Sequence, residues 1–128
     1  MKYLSEYTEQ TIAEAMKKAG AFFAFSNKQF DEVKKEGVKY VDCGMGLICP
    51  KDTATTLLTE INEAHAKGIE QDIKENGLVG IIKRELNNHE CYYTGNTEDA
   101  ENALKDYPIK PEDIRAVFKN KNYVIAVN

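Results

Sequence analysis

The amino-acid sequence predicts an α+β fold, in which a small sheet of three to five strands is covered by helices within a single domain spanning residues 1–128. Three observations predict it. Ala21–Phe25 reads AFFAF, a run with strand composition, and a helix-capping sequence follows it directly. Val38–Cys49 is apolar on both sides of Gly44-Met45-Gly46, as in a hairpin. Much of the remaining chain has apolar residues at helical spacing.

Length and composition place the chain among ordinary globular domains. It has 128 residues, of which 42% are hydrophobic and 30% are charged, and its formal net charge is −4. Its two arginines, Arg84 and Arg115, do not provide the basic stripe that is typical of proteins binding duplex nucleic acid. The sequence has no run of transmembrane length and no export signal, and its three cysteines form an odd set. We therefore expect a cytoplasmic protein whose partners include neither a membrane nor duplex nucleic acid.

The first predicted elements are a helix, a strand and a second helix. Ser5–Ala19 has apolar residues at helical spacing and is followed by a glycine that should end the helix. The AFFAF run should form a strand that is buried on both faces. In the SNKQ sequence at Ser26–Gln29, the serine can cap the next helix, and the glutamine side chain can bond back to the backbone before it. That helix should extend to about Glu36.

The rest of the chain is predicted to be largely helical. Asp52–Lys67 is the clearest helix, and Gly68 should end it. Leu78–Asn88 fits either a helix or a strand. Two strands and two helices complete the prediction: Cys91–Thr94 and Tyr123–Val127 as strands, and about Glu98–Asp106 and the segment from Pro111 as helices. A C-terminal strand at the sheet edge could pair with a second copy, which predicts a homodimer through that strand.

The residues that could carry chemistry form no recognisable catalytic or metal-binding pattern. A zinc site would need Cys43, Cys49, His89 and Cys91, but their spacings differ from the short cysteine knuckles of structural zinc sites. A Cys/His hydrolase would use Cys91 or Cys43 with His65 or His89, and no local signature supports it. We therefore predict no catalytic residues, no metal and no cofactor, and we keep the hydrolase as an alternative.

Candidate recognition residues lie at two predicted junctions between strands and helices. One group begins the helix after the AFFAF run, and the other lies around the NNHE sequence, which is dense in side chains that cap and bridge. Tyrosine is also common at interfaces, because it buries area while keeping a polar tip. We expect the two groups to lie close together. The candidate binding residues are Asn27, Lys28, Asn88, His89, Glu90 and Tyr92.

Three stretches of the sequence resemble a family of short, uncharacterised proteins: Phe22–Phe30 (FFAFSNKQF), Glu85–Thr94 (ELNNHECYYT) and Asp99–Leu104 (DAENAL). That family, found in phages and mobile elements of Gram-positive gut bacteria, carries FFAFSN-x-QF, EL-x-NHE-x-x-x-T and D-A/T-x-x-A-L patterns in the same order. The chain departs from the family pattern at its C-terminus, where YVIAV replaces a further helix. The family has no assigned activity, so the resemblance implies a genomic context and transfers no catalytic residues.

The sequence as a whole favours a small cytoplasmic binding protein of phage or mobile-element type, which binds and inhibits a host protein of antiviral defence. This hypothesis depends on the lack of a catalytic pattern, on the seven tyrosines and on the resemblance. The first alternative is a sponge that binds a small nucleotide signal. The second is the Cys/His hydrolase.

Overall fold

The structure, a computed structural model, describes residues 1–125 and confirms the α+β class. It is largely helical, with one three-stranded antiparallel sheet. The chain divides into two compact units: an N-terminal unit, Ser5–Gly68, and a C-terminal unit, formed by Met1–Leu4 with residues 69–125. The prediction of one domain over residues 1–128 stays a prediction. Within residues 1–125, no helix combines the length and the apolar character that crossing a bilayer requires.

The N-terminal unit contains two helices, the sheet and most of a third helix. In chain order these are α1 (Leu4–Ala19), β1 (Phe22–Phe23), α2 (Asn27–Val33), β2 (Tyr40–Asp42), β3 (Leu47–Pro50) and the first part of α3 (Lys51–Asn76). The strand order is β1-β3-β2, so that β3 is central and pairs antiparallel with both neighbours. The predicted hairpin is confirmed as β2 and β3.

The two faces of the sheet are covered differently. On one face, Cys49 is fully buried with Leu57 of α3 in a core to which α1 also contributes. On the other face, Phe22 and Asp42 both pair with Ile48, so these three side chains form a row across the strands. Helix α2 covers part of that second face through Phe30, whose ring stacks on Phe22 with centroids 6.2 Å apart.

The predicted passage from strand to helix is confirmed, but the strand is shorter and more exposed than expected. Only Phe22 and Phe23 of the AFFAF run form a strand, and Phe23 is 53% exposed. Burial on both faces was therefore wrong for this run, because β1 is an edge strand and no element covers the outer part of Phe23. Helix α2 also ends earlier than predicted, with Lys34 as its C-cap.

Helix α3 continues through Gly68, where the sequence predicted its end. Gly68 is buried inside the helix, and the helix extends to Asn76. A glycine inside a helix costs about 1 kcal/mol relative to alanine, which favourable packing can outweigh. Ile69 and Ile73, which follow it, belong to the hydrophobic core of the C-terminal unit. Packing beyond the glycine therefore decides the length of this helix.

The C-terminal unit is helical throughout its regular elements. After the last part of α3 it contains α4 (Leu78–Asn88), α5 (Cys91–Thr94), α6 (Glu98–Ala103) and α7 (Pro111–Lys119). The segment that fitted either helix or strand is thus the helix α4. The core of the C-terminal unit consists mainly of aliphatic side chains, and the largest fully buried ones are Ile81, Ile82, Leu86, Leu104, Ile114 and Val117.

Two predicted strands of this unit are not strands. Cys91–Thr94 is a short helical turn, because Glu90 adopts a left-handed conformation with φ 54°. The Glu90 carbonyl accepts hydrogen bonds from the backbone amides of Tyr93 and Thr94. Tyr123 to Ile125 also lack strand structure, and the Tyr123 amide donates to Asn120 in a turn. The rest of the predicted C-terminal strand, Ala126 and Val127, lies outside the described residues. The predicted homodimer required a strand at the C-terminus, and the described part of that segment, Tyr123 to Ile125, does not form one.

Candidate functional site

Three large apolar side chains are exposed where β1 meets α2 and at the tip of the β2–β3 hairpin. Phe23 is 53% exposed, Phe25 is 73% exposed and Met45 is 95% exposed. We call these three residues the aromatic corner. Most exposed apolar side chains of soluble proteins are scattered singly, whereas a group of large ones indicates a contact surface.

Phe25 is held in place although most of its side chain faces solvent. Its ring stacks on that of Phe23, with centroids 6.2 Å apart and planes 2° apart. On another side the ring packs on Gly46, where an added Cβ would lie 2.3 Å from a ring carbon of Phe25. Gly46 also has φ +83°, a conformation that favours glycine. The backbone of the β2–β3 hairpin thus packs directly against the Phe25 ring.

The backbone of Phe25 is fixed by the predicted helix cap. The Ser26 hydroxyl accepts from the Gln29 amide at 3.2 Å, as predicted. The Gln29 side chain bonds back to the Phe25 amide at 2.7 Å, one residue before the cap residue itself. The Ala24 amide donates to the Gly46 carbonyl at 2.9 Å, which ties this segment to the hairpin. The exposed ring is therefore supported at both side chain and backbone.

A cavity of about 400 Å³ lies beside the aromatic corner, on the sheet face that α2 partly covers. Three aromatic rings contribute to its lining, those of Phe25, Phe30 and Tyr40. Tyr40 contacts Phe30 edge to face, with centroids 5.5 Å apart, and its hydroxyl accepts from the Lys35 amide at 2.9 Å. Among the described residues that line the cavity, one has a charged side chain, Asp42. One Asp42 carboxylate oxygen accepts from the Gly44 amide at 2.8 Å.

A second concavity, of about 470 Å³, runs along α1. Its lining is mainly apolar and includes Ile12, Met16 and Phe23. The stacked rings of Phe23 and Phe25 thus each line a concavity, Phe23 the one along α1 and Phe25 the one beside α2. Together they form a surface with a raised aromatic pair and two depressions, within the N-terminal unit.

The predicted binding residues fall in both units. Asn27 lines the cavity beside α2, and Lys28 is exposed next to it in the first turn of that helix. The remaining four belong to the C-terminal unit: Asn88, His89, Glu90 and Tyr92. Asn27 therefore lines a cavity, and both the binding role of the six residues and the expected closeness of the two groups stay predictions.

In the C-terminal unit, the NNHE sequence ends α4 and turns the chain into α5. Asn88 is exposed, and His89 is the C-cap residue, with its Nε2 3.7 Å from a carboxylate oxygen of Glu85. Glu90 supplies the left-handed turn. Tyr92 stacks on Phe118 with centroids 5.2 Å apart, and burial raises the pKa of its hydroxyl. His89 and Glu90 thus shape the turn.

The C-terminal unit contains a buried ionic network that was not predicted from the sequence. Asp72 of α3 is fully buried and accepts two bonds from the Arg84 guanidinium, at 2.8 and 3.0 Å, and others from Tyr107 and Asn76. Arg84 also donates to Glu85 at 2.8 Å and to the Lys2 carbonyl at 2.8 Å. The guanidinium therefore connects α3, α4 and the N-terminal segment. Arg84 lies in the segment that fitted either a helix or a strand, and its spacing did not identify Asp72, twelve residues away, as its partner.

The protonation behaviour of this network follows from its contacts. Burial by itself would raise the pKa of Asp72, but the hydrogen bonds from Arg84, Tyr107 and Asn76 outweigh that effect and hold the pKa below its ordinary value. For Tyr107, burial and its bond to Asp72 raise the pKa of the hydroxyl. Asp72 thus stays ionised and Tyr107 stays protonated near neutral pH. The arrangement is that of a structural ion pair closed to solvent.

The cysteines considered for zinc or catalysis are divided between the units. Cys43 and Cys49 lie on the hairpin of the N-terminal unit, while His89 and Cys91 belong to the C-terminal unit. Burial is the main cause that raises the pKa of the Cys43 thiol and of the Cys91 thiol, and Cys91 is fully buried. A raised pKa disfavours the thiolate, which is the nucleophilic form.

Comparison with known proteins gives a family and no function. Neither the curated proteins nor the solved structures contain a match to the chain. Residues 4–124 match a family described as a family of unknown function (DUF7659). Because the match covers nearly the whole chain, this protein belongs to that family of unknown function, DUF7659.

Proposed function

We propose that this chain is a small binding protein, and that the aromatic corner is the surface with which it contacts a partner protein. The observation that carries the proposal is the state of Phe25, which is 73% exposed and yet fixed by Phe23, Gly46 and the Gln29 side chain. A ring that is exposed and already held in one orientation is suited to contact with a partner.

The energetics of binding explain why a fixed exposed ring suits recognition. Association loses free energy when side chains must be ordered, about 0.5–1.5 kcal/mol for each flexible one. Phe23 and Phe25 are already stacked, so docking onto them orders little. Aromatic anchors near the centre of an interface commonly dominate the binding free energy. Met45 adds a flexible apolar side chain that can adapt to a partner.

We further propose that the partner is a host protein of antiviral defence, which this protein inhibits by covering one of its surfaces. This part of the proposal depends on the resemblance of Phe22–Phe30 and Glu85–Thr94 to phage and mobile-element proteins. Phe22–Phe30 contains both phenylalanines of the aromatic corner. The pattern that carries the resemblance is therefore also the segment that presents the proposed contact surface.

The two alternative functions have weaker physical support. A nucleotide sponge gains from positive charge near the phosphate, whereas among the described residues that line the cavity beside α2 the one charge is the Asp42 carboxylate. A Cys/His hydrolase needs an accessible nucleophile with a lowered pKa, whereas burial raises the pKa of both Cys43 and Cys91. We therefore favour recognition of a protein.

The test compares wild type with two single variants of similar chemistry. Phe25→Ala removes the fixed ring of the aromatic corner, and Tyr93→Ala removes a ring that is 91% exposed in the C-terminal unit. Tagged proteins are used to capture partners from lysates of Gram-positive bacteria, and the captured protein is then purified and titrated. We expect a defined partner to bind wild type and Tyr93→Ala equally, and to bind Phe25→Ala at least about tenfold more weakly.

Several results would contradict the proposal. A partner that binds all three proteins equally would place the contact elsewhere. Sedimentation of the purified chain as a dimer that Phe25→Ala dissociates would assign the aromatic corner to self-association. A nucleotide released from the purified protein, or a nucleotide that raises its melting temperature, would favour the sponge. Inhibition itself is tested by expressing each variant in cells with a defence system and measuring phage plating.

A further inference from the structure

We propose that the cavity beside α2 receives an arginine side chain of the partner protein. This inference depends on the proposed protein-binding function and specifies the chemistry that the surface recognises. The cavity combines three aromatic rings with one carboxylate, which are the two kinds of group that a guanidinium binds.

Aromatic rings make up part of the cavity lining. Phe25, Phe30 and Tyr40 line the same cavity, and Tyr40 meets Phe30 nearly at right angles, with an interplanar angle of 88°. Phe30 already stacks on Phe22, and its ring centroid lies 5.6 Å from the Lys34 ammonium. An entering cation would therefore chiefly meet Phe25, which is 73% exposed. A guanidinium can stack on an aromatic face and gains more from this contact than a strongly hydrated ammonium does.

The carboxylate is placed by the sheet. Tyr40 and Asp42 are two residues apart on β2, so their side chains point to the same face. Asp42 pairs with Ile48, which also lines the cavity. One oxygen of Asp42 accepts from the Gly44 amide, which fixes the orientation of the carboxylate. A guanidinium that stacks on the rings can therefore donate to a carboxylate that is already oriented.

Charge complementarity decides between an arginine and a neutral or acidic group. The described residues that line the cavity contribute Asp42 as their one charge, so an anion would be repelled and a cation attracted. The same unit already shows a cation on one of these rings, since the Lys34 ammonium lies 5.6 Å from the centroid of Phe30. Lys34 is also paired with Asp31 at 2.9 Å and does not line the cavity.

The test is a titration of the isotope-labelled protein followed by backbone amide NMR shifts. The probe is N-acetyl-arginine amide, and the control is N-acetyl-citrulline amide, which has nearly the same shape and no charge. N-acetyl-lysine amide is titrated as a third ligand. We expect saturable shifts at residues 24–27 and 40–42 with the arginine probe, a dissociation constant in the millimolar range, and no saturation with citrulline.

Two variants of matched chemistry locate the binding. Asp42→Asn removes the charge, while the new amide oxygen can still accept from Gly44. Asp52→Asn removes an exposed carboxylate from the first turn of α3. We expect Asp42→Asn to weaken binding of the arginine probe about fivefold, as for an exposed charged pair, and Asp52→Asn to leave it unchanged. Raising the salt concentration should weaken binding to wild type.

Each other outcome overturns the inference. Three results would show that the cavity does not recognise a guanidinium: citrulline shifts equal to those of the arginine probe, arginine binding by Asp42→Asn equal to that of wild type, or no saturation with the arginine probe. Equal binding of lysine would replace arginine by a general cation. The outcome for the proposed function is separate: a partner that Phe25→Ala releases and Asp42→Asn retains would leave the binding function in place and remove the arginine.

Discussion

Replacing Arg84 by methionine tests the buried network of the C-terminal unit. Arg84 donates three hydrogen bonds to carboxylates, two to Asp72 and one to Glu85, and a fourth to the Lys2 carbonyl. Methionine fills part of the volume and provides no donor. The Asp72 carboxylate, which is 0% exposed, would then depend on Tyr107 and Asn76 alone.

The expected loss follows from the burial of the pair. Removing one partner of a buried ion pair typically costs about 3–5 kcal/mol, because the other charge is left uncompensated. Small domains are stable by about 5–15 kcal/mol in total, so Arg84→Met should remove a large part of the stability. At about 4 °C for each kcal/mol, the melting temperature should fall by about 12–20 °C.

The two arginines of the chain provide a matched comparison. Arg115 also pairs with a carboxylate, that of Glu101 at 2.8 Å, but its own side chain is 57% exposed. Exposed ion pairs contribute little, so Arg115→Met should lower the melting temperature far less than Arg84→Met does. Equal losses at the two positions would show that burial of the network does not govern its contribution.

A double variant separates the lost bonds from the uncompensated charge. In Asp72→Asn/Arg84→Met a neutral amide replaces the buried carboxylate, and the amide oxygen can still accept a hydrogen bond from Tyr107. The double variant should therefore be more stable than Arg84→Met alone by at least about 1 kcal/mol. Stability is measured by denaturant unfolding, and hydrogen exchange assigns the loss to the C-terminal unit. A double variant less stable than Arg84→Met would refute the reasoning.

Three further predictions concern pH and the aromatic corner. Because the pKa of Asp72 is lowered, its carboxylate stabilises the fold above about pH 4, and this contribution is lost as the pH falls below that value. Because the pKa of Tyr107 is raised, its hydroxyl contributes stability below about pH 10, and this contribution is lost above that value. The melting temperature should therefore fall at both ends of the pH range. Gly46→Ala should cost about 1–2 kcal/mol and displace the Phe25 ring, because φ is +83° and the added Cβ would meet that ring. Ser26→Ala should cost about 1 kcal/mol through loss of the helix cap.

Each of these three predictions has its own control. Tyr107→Phe should reduce the loss of stability at alkaline pH, and an unchanged loss would assign it to the other groups whose pKa is raised, Tyr92, Cys43 and Cys91. Gly44 also has a positive φ, but an added Cβ there would have no neighbour within 4 Å. Gly44→Ala should therefore strain the hairpin without weakening partner binding. Ser26→Asp keeps an acceptor at the cap and should retain most of the stability that Ser26→Ala loses. The opposite result in either case would refute the assigned cause.

The parts of the fold that depend on neighbouring residues could be predicted from the sequence. Ser26 and Gln29 lie within one helical turn, and that spacing predicted the bond from the Gln29 amide to Ser26. It also predicted that the Gln29 side chain bonds back to the preceding backbone, and the amide that donates to it is that of Phe25, one residue before the cap. The β2–β3 hairpin followed from two glycines around Met45. The limits of α1 and of the helix that begins at Pro111 were likewise local features.

The parts that depend on distant contacts could not be predicted. AFFAF has the composition of a buried strand, but β1 lies at an edge of the sheet, so Phe23 and Phe25 face solvent. Gly68 continues a helix because apolar residues beyond it pack in a core. Cys91–Thr94 has strand composition, and the left-handed turn at Glu90 makes it helical. Sequence spacing gives none of these environments.

The candidate site shows the same division. Asn27 was predicted from its place after a strand and at a helix start, and it does line the aromatic cavity. Asp42 and Met45 were missed, since nothing in a short polar-apolar alternation shows which face of the hairpin stays open. The signal that was available is the unusual Gly-Met-Gly tip, which places a large apolar side chain where turns normally carry polar ones.

The central claim is that a fixed, exposed Phe25 anchors a partner protein, and calorimetric titration of the purified partner against Phe25→Ala and Tyr93→Ala tests it most directly. We predict that the dissociation constant rises at least about tenfold for Phe25→Ala and stays at the wild-type value for Tyr93→Ala. Equal dissociation constants for wild type and Phe25→Ala, with both proteins fully folded, would contradict the claim.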